Sequence, residues 1–143
     1  MSVIAFDGKT VAADRQATCS GCKTTSSKLF KLASGEIVGF TGSSDIGMAM
    51  LEWYKNGADC EKYPKYQTTD DWVRLVVITK KGVFFYETTP NPVHSLDKKC
   101  AFGCGRDFAL GAMEMGANAI KAVEIASKFS TDCGMGIDSF KIR

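Results

Sequence analysis

The first fourteen residues, MSVIAFDGKTVAAD, restrict the fold of this chain more than any other stretch. Two short runs of β-branched and small apolar residues flank Asp7-Gly8, a dipeptide typical of two-residue β-hairpin loops. The pattern predicts a hairpin that begins almost at the first residue. No charged or apolar segment of a secretory signal precedes this hairpin, so we expect the N-terminus to be built into a sheet.

Ser2 becomes the first residue of this sheet if Met1 is removed, and a hydroxyl beside its own α-amino group is an effective nucleophile. The register of the hairpin decides which way the Ser2 side chain points. A two-residue loop at Asp7-Gly8 places Met1 opposite Asp14. A three-residue loop that includes Lys9 instead places Ser2 opposite Asp14, which is the register that catalysis requires.

The composition describes an ordinary globular protein. The 143 residues suit one domain, and 45% hydrophobic and 24% charged residues are typical of a soluble protein, for which we expect a cytoplasmic location. No apolar run approaches the roughly 18 residues of a membrane-spanning helix. The net charge of +2 comes from interspersed residues, so we expect no nucleic-acid partner. His94 is the one histidine, which argues against a histidine-based metal site.

The six cysteines allow two interpretations. Without a signal peptide they are best explained as reduced thiols, small and buried or in loops. Cys19 and Cys22 have the spacing of half a zinc site, and Cys100 with Cys104 would supply the remaining ligands. The three residues between Cys100 and Cys104 make this second pair a poor zinc knuckle, so we expect no metal, although zinc at Cys19 and Cys22 stays open.

The remaining pattern predicts strands and helices in the order ββββα, ββ, βααβ, an α+β chain. A polar loop is expected over residues 15–23 and a strand over residues 24–32. In that strand Lys28 shares a face with Phe30 and Leu32. Such a lysine is either an edge residue whose stem lies along apolar surface or a group whose charge acts on a neighbour.

Residues 36–41 form the next predicted strand, and a helix capped by Ser44 is expected to follow and to end at Asn56-Gly57. Gly42 lies between the strand and the helix, where backbone N–H groups stabilise negative charge. A hairpin is predicted around residues 80–82, then a strand near Cys100 and a helix capped by Asp107. A second helix opening at Asn118 and a last strand over residues 137–142 complete the chain.

Five segments carry a resemblance to a known family, in that family's order and spacing. They are the opening hairpin through residues 11–18 (VAADRQAT), residues 27–32 (SKLFKL), residues 39–44 (GFTGSS), residues 103–113 (GCGRDFALGAM) and residues 122–126 (AVEIA). Together they resemble the proteasome β-subunits and bacterial HslV peptidases, which are N-terminal nucleophile hydrolases. The resemblance covers nearly the whole of residues 1–143. It implies a single αββα sandwich of two stacked, mainly antiparallel sheets flanked by helices.

The resemblance also implies a catalytic mechanism that needs no cofactor or metal. The Ser2 hydroxyl attacks a peptide carbonyl, and the α-amino group takes the proton directly or through water. Lys28, cationic beside Asp14, lowers the effective pKa of the nucleophile, and the Gly42 N–H stabilises the tetrahedral oxyanion. Water then hydrolyses the acyl-enzyme.

Several positions depart from the family pattern. The nucleophile is usually threonine, where this chain has Ser2. Cys104 replaces a serine that orients the terminal amine, Ser130 stands where many subunits carry aspartate, and Cys133 replaces a hydroxyl residue; we treat all three as supporting residues. Residues 56–72 are too few for the family's second long helix, so one helical layer is expected to be reduced. Compact members of this kind resemble those encoded by bacteriophages and bacteria.

Three functions follow as alternatives. The first is a ring-forming homo-oligomeric peptidase that cleaves peptides or unfolded proteins with Ser2, with a host or partner ATPase left open. The second is a non-catalytic assembly or scaffold subunit that retains Met1. The third is an amidase that acts on a small molecule, which a deep closed pocket would favour over an extended cleft.

Overall fold

The computed structural model describes residues 2–65 and 72–142. Strands and helices in these residues follow the α+β order that the sequence predicts, with additional strands. The strands are β1 (Ile4–Phe6), β2 (Thr10–Asp14), β3 (Gln16–Cys19), β4 (Cys22–Thr25), β5 (Leu29–Lys31), β6 (Ile37–Gly42), β7 (Val73–Thr79), β8 (Gly82–Tyr86), β9 (Val93–Ser95), β10 (Cys100–Phe102) and β11 (Ile137–Lys141). The helices are α1 (Ser44–Lys55), α2 (Arg106–Glu114), α3 (Ala119–Phe129) and a short 3-10 helix at Cys60–Lys62.

The strands form two larger sheets and a ribbon. The first sheet has the order β10-β1-β2-β11, the second has the order β5-β6-β7-β8-β9, and β3 pairs with β4 alone. All these pairings are antiparallel. Antiparallel sheets of this kind bury one or both faces according to the two-residue alternation of side chains along each strand.

Three apolar clusters show how the layers stack. Between the two sheets lie side chains of β1 and β2 with those of β5 to β8, including Ile4, Val11, Leu29, Ile37 and Val76. The outer face of the first sheet packs on α2 and α3, and the outer face of the second packs on α1. The described residues therefore form two stacked sheets with helices on their outer faces, and this arrangement is consistent with the predicted α+β class.

The first hairpin has a register that neither expected loop produces. Phe6 pairs with Val11, one step beyond the pairing of a three-residue loop. Continuing this pairing places Val3 opposite Asp14, and the Asp14 N–H donates to the Val3 carbonyl at 3.2 Å. Both expected registers, including the one that places Ser2 opposite Asp14, are therefore wrong.

Hydrogen bonds within the loop explain the shift. The Asp7 N–H donates to the Thr10 carbonyl at 3.1 Å. The Asp7 carboxylate accepts from the N–H groups of Lys9 at 2.9 Å and Thr10 at 2.8 Å. These bonds make Gly8 and Lys9 the central residues, because an aspartate at the first position of a turn bonds to the backbone two and three residues on. The hairpin itself is confirmed, but its turn lies one residue later than predicted.

The ribbon of β3 and β4 replaces most of the predicted polar loop. Cys19 pairs with Cys22 across a turn at Ser20-Gly21. The β4 side chains are exposed, so no buried face marks the strand in the sequence. The single strand predicted over residues 24–32 is also wrong, since β4 ends at Thr25 and β5 begins at Leu29 in another sheet.

The predicted helices are confirmed, with changes at their starts. The Asn118 side chain accepts from the Lys121 N–H at 2.8 Å and caps α3 as expected. Ser43 rather than Ser44 is the N-cap of α1, and Gly105 rather than Asp107 that of α2. The predicted reduction of one helical layer falls partly on residues 66–71, which lie outside the described residues. No helix in the described part of the chain is long and apolar enough to span a membrane.

Candidate active site

A cleft of about 720 Å³ is lined by three residues that the sequence analysis predicts for the active site, and the fourth predicted residue bonds to one of them. Ser2, Lys28 and Gly42 line it, and Asp14, which is not a lining residue, bonds to Lys28. One wall is the ribbon of β3 and β4, and the other is the end of β6 with the start of α1 and Trp72. Residues far apart in the chain therefore meet where the two sheets and the ribbon converge.

A buried ion pair forms the base of this site. Lys28 Nζ lies 2.8 Å from Asp14 Oδ1, with Lys28 5% and Asp14 0% exposed. Burial lowers the pKa of Lys28, and the attraction of Asp14 opposes this change. An edge lysine would keep its ammonium group in water, so the edge interpretation of Lys28 is wrong. Breaking one member of such a pair typically costs about 3–5 kcal/mol, because the other charge stays buried.

Backbone donors fix the Asp14 carboxylate around this pair. Its Oδ1 also accepts from the Val3 N–H at 3.0 Å. Its Oδ2 accepts from the N–H groups of Gly134 at 3.1 Å and Gln16 at 3.3 Å. Charge-assisted bonds of this kind are stronger than neutral ones and hold both oxygens in place. Asp14 therefore joins β1, β2 and the loop before β11 at one point.

Ser2 is held at the edge of the cleft by its backbone. Its carbonyl accepts from the Gly105 N–H at 3.2 Å, and Ser2 is 1% exposed. A Cβ on Gly103 would lie 2.1 Å from the Ser2 carbonyl oxygen, so only glycine permits this approach. Within the described residues no hydrogen bond joins the Ser2 hydroxyl to the Lys28 amine, although both line the cleft.

Gly42 lies where β6 turns into α1. Its φ is +103°, and a Cβ there would lie 2.1 Å from the Trp72 carbonyl oxygen. A side chain is excluded at this position, so the backbone itself faces the cleft. The α1 N-cap, Ser43, makes no side-chain capping bond. The N-terminal N–H groups of a helix favour a negatively charged group, which suits an oxyanion near Gly42.

Comparison with solved structures identifies the fold. Thiobacillus denitrificans BPH superposes with a TM-score of 0.75 and 19% identity, over 100% of this chain and 99% of that one. HslV from Trypanosoma brucei superposes with a TM-score of 0.72 and 20% identity, over 98% of this chain and 97% of that one. The chain has an HslV-like fold. A structure of Thiobacillus denitrificans BPH in complex with Epoxomicin gives a TM-score of 0.74 at 18% identity, covering 100% of both chains.

The sequence comparisons add no relative. No protein-family model matches the chain, and no curated protein matches it. Identities near 20% establish the HslV-like fold alone, because one fold hosts many functions. The function therefore has to be argued from the side chains of the cleft.

The three supporting residues of the sequence analysis, Cys104, Ser130 and Cys133, lie in three different environments. Cys133 is buried with its Sγ 2.8 Å from where a Gly105 Cβ would lie, and burial raises its pKa to about 11. Ser130 ends α3, and its hydroxyl accepts from the Asp132 N–H at 3.3 Å. Cys104 is exposed next to Gly105. Cys133 therefore lies beside the loop that holds Ser2, whereas Ser130 makes no hydrogen bond to Asp14 or Lys28 among the described residues.

The zinc interpretation of the cysteines receives no support from their positions. Cys19 and Cys22 are exposed on the ribbon, whereas Cys100 is buried between the sheets. In residues 2–65 and 72–142, no three cysteine, histidine, aspartate or glutamate side chains come together as metal ligands.

Two further cavities, of about 600 and 650 Å³, lie at the opposite end of the sheets beside Lys80-Lys81. Neither has a buried ion pair among its described lining residues. Strongly perturbed, buried charges cluster at functional sites more often than on plain surface. We therefore assign the candidate active site to the cleft around Lys28.

Sequence reasoning missed two features of this site. The N–H groups of Gly134 and Gln16 that donate to Asp14 belong to no recognisable sequence motif. Gly134 is also 120 residues away from Asp14 in the chain. Thr41 was also missed, although it directly precedes Gly42. Its hydroxyl is buried and has no hydrogen-bond partner within residues 2–65 and 72–142.

Proposed function

We propose that this protein is a peptidase that uses Ser2 as an N-terminal nucleophile after cleavage of the Met1–Ser2 peptide bond. One observation carries the proposal: Ser2, the buried Lys28 and the side-chain-free backbone of Gly42 line a single cleft. These groups are a hydroxyl, a cation and a backbone turn at a helix N-terminus. They match the parts that acyl transfer needs.

In the proposed first step, the free α-amine of Ser2 takes the hydroxyl proton while Oγ forms a bond to the substrate carbonyl carbon. The Gly42 N–H stabilises the resulting oxyanion, aided by the N-terminal end of α1. The tetrahedral intermediate then collapses, and the α-ammonium returns its proton to the departing amine of the peptide. Ser2 is left as an ester of the acyl fragment.

In the second step, the α-amine takes a proton from water as the water oxygen attacks the ester. The oxyanion forms at the same place, and its collapse restores the Ser2 hydroxyl with the proton from the α-ammonium. Lys28 stabilises the negative charge that develops on Oγ in both steps. The attraction of Asp14 favours the charged form of Lys28 and opposes the lowering of its pKa by burial.

An extended peptide is the substrate that suits the cleft. Its walls are a strand ribbon on one side and the end of β6 on the other, so a strand of substrate finds backbone groups to pair with. A small-molecule amidase would favour an enclosed pocket, whereas this cleft runs along the ribbon. We therefore rank peptides or unfolded proteins above small amides.

We also propose that the protein works as a homo-oligomer, ring-like in form. Phe108 at the start of α2 and Phe129 at the end of α3 are exposed, and their rings stack with centroids 6.0 Å apart. Exposed apolar groups in such a cluster typically mark interfaces. A partner ATPase stays an untested prediction.

A non-catalytic assembly subunit is the second candidate, and the hairpin register favours it. Val3, not Ser2, lies opposite Asp14, and the Ser2 hydroxyl makes no bond to Lys28 among the described residues. In this alternative Met1 is retained and the ion pair is structural.

Two mass measurements decide between these candidates. Intact mass of the native protein should show the chain starting at Ser2, and incubation with Epoxomicin or a peptide boronate should add one inhibitor mass at Ser2. Ser2→Ala, which retains a free α-amine, should not be labelled by the boronate and is the matched control. A native chain that begins with Met1, and that no electrophile modifies, would establish the non-catalytic candidate.

A further inference from the structure

Thr41 carries a buried hydroxyl for which the described residues provide no hydrogen-bond partner. The residue is 1% exposed, and its Oγ1 makes no hydrogen bond within the described part of the chain. Leaving a buried hydroxyl unpaired destabilises the folded state, so such a group calls for an explanation. A valine of the same shape would avoid this cost.

The strand geometry places the Thr41 side chain between the two sheets. Ile37, two positions before Gly39 on β6, packs in the layer between the sheets, and side chains alternate along a strand. A Cβ on Gly39 would lie 3.0 Å from Cδ1 of Ile4 on β1. Thr41 is two residues further along β6 and points into the same layer.

Ser2, on the side of the first sheet, faces Thr41 of the second sheet in the same way that Ile4 faces Gly39. Alternation along β1 directs the Ser2 side chain to the same side as Ile4, because Val3 packs on the helices instead. A Cβ on Gly103 would be 2.1 Å from the Ser2 carbonyl oxygen and 3.2 Å from Cγ2 of Thr41. The two hydroxyl residues therefore flank the same point of the Gly103 backbone.

We infer that the Thr41 hydroxyl donates a hydrogen bond to Oγ of Ser2 in the chain that begins at Ser2, and thereby holds the nucleophile in one rotamer. This inference rests on the proposed function. Serine has no β-methyl group, so its χ1 is less restricted than that of threonine. A bond accepted by Oγ leaves the Ser2 proton free for the α-amine. Thr41 is a positioning residue in this mechanism, and no bond to it is made or broken.

The inference predicts a specific pattern of kinetics on a peptide substrate. Thr41→Val should lower kcat by about tenfold with KM unchanged, since one hydrogen bond to the reacting oxygen is lost. Thr41→Ser should recover most of this loss. In a Ser2→Thr background, where the methyl group restricts χ1, Thr41→Val should cost less than about threefold. The melting temperature of Thr41→Val should fall by no more than a few degrees, because a single hydrogen bond is lost while the packing of the side chain is kept.

Crystal structures of the Met1-free parent and of Thr41→Val give a readout that does not depend on activity. One Ser2 rotamer bonded to Thr41 in the parent, with two or more rotamers in the variant, would support the inference. The same Ser2 rotamer in both proteins, or an equal kcat, would overturn it. If the bond is present but neither protein reacts with Epoxomicin or cleaves a peptide, the contact stands and the proposed peptidase function fails.

Discussion

Val3 lies opposite Asp14 in the first hairpin, and its N–H donates a 3.0 Å hydrogen bond to Oδ1 of that carboxylate. The same oxygen accepts from Lys28 at 2.8 Å. The backbone that leads into β1 is therefore tied to the ion pair one residue after Ser2. A shift of β1 along β2 would break this bond, so the register and the ion pair stabilise each other.

Replacing Lys28 should affect both stability and activity. Lys28→Met leaves the Asp14 carboxylate buried with backbone donors alone, so we expect a loss of about 3–5 kcal/mol in the free energy of unfolding and no peptide cleavage. Urea denaturation measures the first effect. Lys31→Met, on the exposed side of β5, is the control and should change neither quantity measurably. Equal stability of the two variants would contradict the structural role of the pair.

A side chain at Gly42 should be far more damaging than one at another glycine with positive φ. Gly42→Ala meets the Trp72 carbonyl at 2.1 Å in addition to backbone strain. Gly35→Ala has φ +92° but no atom within 4 Å, so it carries the strain alone, about 1 kcal/mol. We expect thermal denaturation to show a clearly larger drop for Gly42→Ala. Similar melting temperatures would show that the β6–α1 turn can relax.

The Cys133 thiol should be unreactive near neutral pH. Burial raises its pKa to about 11, above the ordinary value of 9.0, so at pH 8 its thiolate is about a hundredfold scarcer than that of an ordinary cysteine. Iodoacetamide should modify the exposed Cys104 before Cys133, as peptide mass spectrometry would reveal. Because the folded pKa is the higher one, this group's stabilising contribution is present below pH 9 and is lost as pH rises through about 11. Cys133→Ala should remove that part of the loss.

Asp7 should make the hairpin sensitive to acid. Its burial acts to raise the pKa, but hydrogen bonds from the N–H groups of Thr10, Ala119 and Lys9 outweigh this and lower it below 3.8. The folded pKa is the lower one, so the stabilisation is present above pH 3.8 and is lost as pH falls through the folded value. Urea denaturation at pH 6 and pH 3 should show a smaller acid loss for Asp7→Asn than for the parent. Glu114→Gln, at an exposed position of α2, is the matched control.

Local signals were sufficient for some elements. Asn118 marks the start of α3 because its side chain bonds three residues ahead, within one turn. The ribbon of β3 and β4 had no such signal, because its β4 side chains are exposed and polar. A strand without a buried face leaves no two-residue apolar pattern to detect.

By itself the sequence determined that a hairpin opens the chain, that Lys28 lies among apolar residues and that a glycine stands where a strand gives way to a helix. These features depend on neighbours within a few residues. Tertiary structure decided that Val3 faces Asp14, that Gly134 donates to this carboxylate and that Thr41 lies beside Ser2. Register and inter-sheet contacts depend on hydrogen bonds and packing between distant segments. A pattern read along one segment cannot specify them.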